Sequence, residues 1–204
     1  MAFYITIILV GAGLYGACLG IWRAPRMAVY TGIKFPLIIL LTTLGNALLN
    51  GMLAPLFGLN LRFRESLVAI LMSFAIAAAI LGSLSPLLYF VVWNMPEMVP
   101  GSPVTGSAYA AFQLSQVAAI AGAGIAANVR LMQFLRRISG DVVVARKVLF
   151  AWLAGNLFLG SQLTWILRPL FGAPFLPVEF LRPNALEGNF YETVFRALIH
   201  LFAA

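Results

Sequence analysis

Apolar positions in this chain run on for twenty residues or more, and polar ones are gathered into the short stretches between the runs. The long apolar segments are Phe3–Trp22, Phe35–Phe57, Ser66–Trp93, Tyr109–Leu131 and Val142–Leu167. Each reaches the roughly 20 residues that a helix needs to cross a hydrocarbon layer about 30 Å thick. None alternates with the two-residue period of a strand, so the pattern predicts spanning helices and excludes a barrel. A shorter stretch, Phe190–Phe202, sets Glu192, Arg196 and His200 at i, i+4 spacing on an otherwise apolar background. It predicts an amphipathic helix lying at the membrane surface. The expected fold is all-α, a polytopic membrane helix bundle with about five spans, and residues 1–204 form one membrane domain.

Two of the runs are interrupted. Residues 35–57 contain Pro36, Gly45, Asn46, Asn50, Gly51 and Pro55, and Asn-Gly is a turn dipeptide. This segment either spans or re-enters as two half-helices. Residues 66–93 exceed a perpendicular span and carry Pro86, which removes one helix hydrogen bond and predicts tilt or a kink, with Ser83 and Ser85 able to satisfy the freed groups.

Charge refines the layout. The first loop is read as holding Arg23, Arg26 and Lys34, the second Arg62 and Arg64, and the third no positive charge. The fourth is the most basic, with Arg130, Arg136, Arg137, Arg146 and Lys147. Basic loops favour the cytoplasm, which places the fourth loop inside and both the third loop and the C-terminal tail outside. If residues 35–57 span, the N-terminus is inside and the first loop breaks the rule. If they re-enter, all three basic loops share the cytoplasmic side.

Composition agrees with the pattern. The chain is 62% hydrophobic and 9% charged, with a mean hydropathy of +0.98, far from the roughly 25% charge of soluble domains. The excess of 13 Lys and Arg over 6 Asp and Glu sits where it meets anionic lipid headgroups, so Arg130, Arg136, Arg137, Arg146 and Lys147 are candidate lipid contacts and nucleic acid is not an expected partner. The N-terminal run lacks a basic n-region and a cleavage site and is expected to be retained. Cys18, the single cysteine, excludes an internal disulfide and reads as packing.

Small residues at four-residue spacing let membrane helices approach closely. Ala12, Gly16 and Gly20 form one such candidate face, and Ala119, Gly122, Ala123 and Ala126 another. They fit packing within the monomer, self-association or a membrane-protein partner.

Signatures of catalysis are missing. There is no His-Glu-x-x-His, no Gly-x-Ser-x-Gly and no paired aspartates, and His200 has no companion ligand. No enzyme activity, cofactor or metal is expected. The long runs hold no buried carboxylate of the kind that coupled pumps use; their buried polar groups are amides and hydroxyls, the amides including Asn46, Asn50, Gln116, Asn156 and Gln162.

The most distinctive chemistry is GSQLTWILRPLFGAP. Gln162, Trp165 and Arg168 recur one turn apart on one face, and Pro169 halts the helix. Arg168 therefore meets the unpaired carbonyls of a helix end, and Trp165 suits the interfacial belt. Glu179, Arg182 and Glu187 in the following segment complete the candidate structural or interaction site. The expectation is that a loop carboxylate or loop carbonyls receive Arg168.

This block, together with YGACLG, KFPLIILLTT, SLSPLLYF, FLRP and GNFYETVFRAL, resembles a family of uncharacterised bacterial multi-pass membrane proteins. The hydropathy layout is also distantly similar to Yip1-type membrane proteins. The resemblance implies a bacterial inner-membrane location and a special importance for the C-terminal block, and brings no activity with it. From the residues, the expected function is a non-enzymatic membrane subunit or scaffold. The alternative is a passive channel or transporter for a small polar solute or lipid.

Overall fold

In an apolar medium every peptide group must find its partner within its own segment, and the computed structural model answers with helices throughout. It describes residues 1–53, 56, 62–98, 103–170 and 177–192, with backbone alone at 51–53 and 103–105. The elements are α1 (Ala2–Ile21), α2 (Pro25–Leu53), α3 (Phe63–Ser83), α4 (Ser85–Trp93), α5 (Pro103–Ser139) and α6 (Val142–Ile166), with no strand among the described residues. All but α4 are long and apolar enough to cross a membrane. The chain is a polytopic helical bundle.

Three boundaries differ from the sequence reading. α2 is one unbroken helix with Pro36 inside it, and Asn50-Gly51 continues the helix instead of turning. It also starts ten residues early, at Pro25, so Arg26 and Lys34 belong to a helix and the first loop shrinks to Trp22–Ala24. α5 extends past the expected Tyr109–Leu131 at both ends. Its 37 residues span about 55 Å at 1.5 Å each, more than the hydrocarbon layer. Arg130, Arg136 and Arg137 therefore lie on α5, and Arg146 and Lys147 on α6, with only a tight turn between. Gly140 in that turn has φ of +66°, a conformation that suits a residue without Cβ. Asp141 then caps α6 by accepting the Val143 N–H at 2.7 Å. The long third run does break near Pro86. Leu84 separates α3 from α4, and the Ser83 and Ser85 hydroxyls donate to the carbonyls of Ile80 and Leu81. Of the surface helix expected over 190–202, the first turn, 190–192, is helical, and the rest lies outside the described residues.

Packing follows the small residues of α1. It runs antiparallel to α2, where a Cβ on Gly16 would sit 2.6 Å from the Thr31 carbonyl oxygen and one on Gly20 2.5 Å from that of Met27. On its other side α1 runs parallel to α3. Ile8 and Ala12 pack with Leu71, Ala75 and Ala78, and Gly11 abuts the backbone of Ala78 and Gly82. α3 packs antiparallel on α5 through Ile70, Leu131 and Leu135, in a cluster completed by Trp152 of α6. α6 runs antiparallel to α2.

The α5 face turned inward is not quite the expected one. Phe112, Gln116, Ala123, Ala127, Leu131 and Leu135 are buried and Ala119 is partly so, whereas Gly122 and Ala126 are exposed. Bulky Phe112, Leu131 and Leu135 select this face, since they bury far more apolar area than a glycine.

Candidate functional site

At the end of α6 the chain leaves the helix through Arg168 and a cis bond to Pro169. The carbonyls exposed there are met from α2. The Thr31 hydroxyl donates to the Leu170 carbonyl at 2.8 Å. One turn further along, the Lys34 ammonium donates to the Pro169 carbonyl at 3.1 Å and the Glu179 carbonyl at 3.3 Å. It also faces the Phe180 ring at 5.3 Å. Lys34 is wholly buried, at 0% exposure. A cation so placed needs full hydrogen bonding to persist, and the two carbonyls plus the ring provide most of it. Thr31 and Lys34 thus clasp the C-terminal segment to the bundle.

Gln162, Trp165 and Arg168 divide the work differently from the expectation. Gln162 accepts the Phe190 N–H at 3.3 Å. Ser161 bonds the Tyr191 hydroxyl at 2.6 Å, and Tyr191 stacks on Phe158; neither Ser161 nor Tyr191 was singled out from the sequence. Among the described residues, Arg168 receives no loop carboxylate or carbonyl. Its guanidinium lies over the Trp165 ring, and its Nη1 is buried without a hydrogen-bond partner, as are Trp165 Nε1 and Arg182 Nε and Nη2. Burial, and next to it the charge of Arg182, hold the Arg168 pKa below its ordinary value. Glu179 enters through its main-chain carbonyl alone, and Glu187 contributes a turn by donating its N–H to the Asn184 carbonyl. The structure therefore brings together Trp165, Arg168 and Arg182, adds Thr31 and Lys34, and leaves Glu187 aside. The signal for Lys34 was present: it stands three residues after Thr31, on the same helical face.

The amides deeper in the bundle are committed to one another. Asn46 donates to the Trp152 carbonyl at 3.1 Å and to Asn156 Oδ1 at 2.6 Å, and Asn50 donates to Asn46 Oδ1 at 2.9 Å. A Cβ at Gly155 would collide with Asn46 Oδ1, so this glycine lets the two helices close over the network. Gln116 accepts the Tyr15 hydroxyl. Among the described residues, no three His, Cys, Asp or Glu side chains cluster as a metal site would require.

Arg130, Arg136, Arg137, Arg146 and Lys147 are all exposed around the α5–α6 turn, at the opposite end of the bundle from Arg168. From that turn α5 and α6 diverge, the one toward α1, α3 and α4, the other toward α2. Between them opens an apolar groove of about 650 Å³, lined by Ala121, Gly124, Ile125 and Asn128 of α5 and by Leu149 and Leu153 of α6. No protein-family model matches the chain, and neither a curated protein nor a solved structure matches it.

Proposed function

We propose that the chain is a non-enzymatic membrane subunit or scaffold whose α5–α6 flank receives a transmembrane helix of another membrane protein. The open groove supports this reading most. Only 22% of the α5 span and 17% of the α6 span are buried in the monomer, against 44% for α3. A Cβ on Gly122 or Gly124 would meet nothing within 4 Å. Small residues facing outward leave room for a second backbone, which is how membrane helices gain van der Waals contact. Asn46, Asn50 and Asn156, which would line a polar path, are instead bonded to each other, and Gln116 is bonded to Tyr15, which weighs toward a subunit over a passive channel.

Filling the groove tests the proposal. Ala121→Leu and Gly124→Leu are expected to abolish recovery of the partner by in-cell crosslinking and mild-detergent purification, while the melting temperature stays within a few degrees. A chain that is strictly monomeric in native mass analysis, with no crosslinked partner, overturns it. A crosslinked product containing only this chain assigns the groove to self-association and overturns the hetero-partner reading.

The same reading places the α5–α6 turn in the cytoplasm, because Arg62, Arg64 and the five exposed basic residues around that turn share its end of the bundle. With Lys34 sequestered in α2, the outer first loop no longer carries a concentrated positive charge. The bacterial inner membrane as its location rests on the resemblance of the C-terminal block. Reporter fusions are expected to read cytoplasmic at Gly140 and external at Gly188; the reverse result inverts the orientation.

A further inference from the structure

The C-terminal clasp holds more positive charge than the chain neutralises. Lys34 binds the carbonyl next to Arg168 and the carbonyl of Glu179, three residues before Arg182. These contacts draw all three cations to one place, and Arg182 repels both of the others. Buried like charges without a counterion are unfavourable. Three guanidinium N–H positions, Arg168 Nη1 and Arg182 Nε and Nη2, are buried and unbonded, and so is Trp165 Nε1. Lys34 has a third proton beyond the two given to carbonyls.

No Asp or Glu side chain is recorded against these three cations. All six are described: Glu65 caps α3, Asp141 caps α6, Glu97 and Glu192 have interactions of their own, Glu187 lies in an exposed turn, and Glu179 offers its main chain. The undescribed residues carry no Asp or Glu.

We propose that Arg168 and Arg182, backed by Lys34 and Trp165, form a binding site for a phosphate group, carried on an anionic lipid or free. Donors from two planar guanidiniums, an ammonium and an indole outnumber what a two-oxygen carboxylate accepts, and suit a tetrahedral oxyanion. Trp165 belongs to the residue class that sits at headgroup depth, where lipid phosphates are abundant. This site lies at the other end of the bundle from the exposed basic residues of the α5–α6 turn, and it does not depend on the partner-helix reading.

The full chain is assayed in detergent with inorganic phosphate against chloride at equal ionic strength, and in nanodiscs of phosphatidylglycerol against phosphatidylcholine. Retained phospholipid is counted by native mass spectrometry. Melting temperature is expected to rise with one phosphate source. Arg182→Gln, at a loop position where folding is least at risk, is expected to weaken the effect roughly tenfold or more in affinity. Arg182→Lys should lose only part of it, and Arg64→Gln, exposed at the opposite end, none. A response to phosphatidylglycerol alone assigns the site to a lipid, and a response to inorganic phosphate in detergent assigns it to the free ion. If neither source stabilises the chain, or if Arg182→Gln responds as fully as the parent, the proposal fails.

Discussion

Gly11→Ala is expected to lower the unfolding free energy by about 2–3 kcal/mol, the upper part of the range for overpacking a tight interior. The added Cβ would run into the main-chain carbonyl of Ala78, with the α3 backbone close behind it. Backbone held in a helix cannot swing aside as a flexible side chain does, so α1 and α3 must separate, and the contacts of Ile8 and Ala12 with Leu71, Ala75 and Ala78 weaken together. The control is Gly122→Ala, on the other small-residue face. There a Cβ meets nothing within 4 Å, so the change is expected to be neutral or stabilising by up to about 1 kcal/mol, from helix propensity alone. Reversible unfolding in mixed micelles measures both. Equal effects at the two glycines would show that α1 and α3 are not in the contact described.

The second large effect is expected at Lys34. Lys34→Met retains most of the apolar stem and removes both charge-assisted hydrogen bonds, leaving the Pro169 and Glu179 carbonyls without their donor. A loss of about 2 kcal/mol is expected, since bonds to a charged group contribute about 1.5–3 kcal/mol and relief from burying the ammonium offsets part of it. The loss should be local. Residues 177–192 are expected to become sensitive to protease while the bundle remains folded, and Thr31→Val, which removes a neutral bond to the Leu170 carbonyl, should do the same at about 1 kcal/mol. Unchanged stability and unchanged cleavage for Lys34→Met would show that α2 does not hold the C-terminal segment.

The two glycine faces illustrate what spacing conveys. On α1 the i, i+4 row of Ala12, Gly16 and Gly20 is the face that packs. On α5 the expected row shares Ala119 and Ala123 with the buried line, which runs on to Ala127, but it also takes in Gly122 and Ala126, which are exposed. A helix rich in alanine and glycine offers several equivalent faces. Only the placement of Phe112, Leu131 and Leu135 against neighbouring helices chooses among them.

By itself the sequence determined that the chain is helical and where four of its spans lie; that residues 35–57 belong to an unbroken helix came from the structure. An apolar run of twenty residues has a single way to satisfy its backbone in lipid, and that constraint needs no partner. Pro86 and its flanking serines likewise announced the break after α3. Hydropathy marks where lipid ends, however, and not where a helix ends. Arg26 and Lys34 therefore read as a loop although α2 already holds them, and α5 outruns the apolar segment that signalled it. Tertiary structure alone decided the chemistry at the C-terminal block. Whether Lys34 snorkels, pairs or is buried depends on which carbonyls lie 3 Å away, and those belong to residues 135 and 145 positions distant along the chain. Hydrogen bonds act only at contact range, so Lys34, whose spacing from Thr31 names no partner, became the fastening of the C-terminal segment, and Arg168, which looked like the fastening, was left with a donor unfilled.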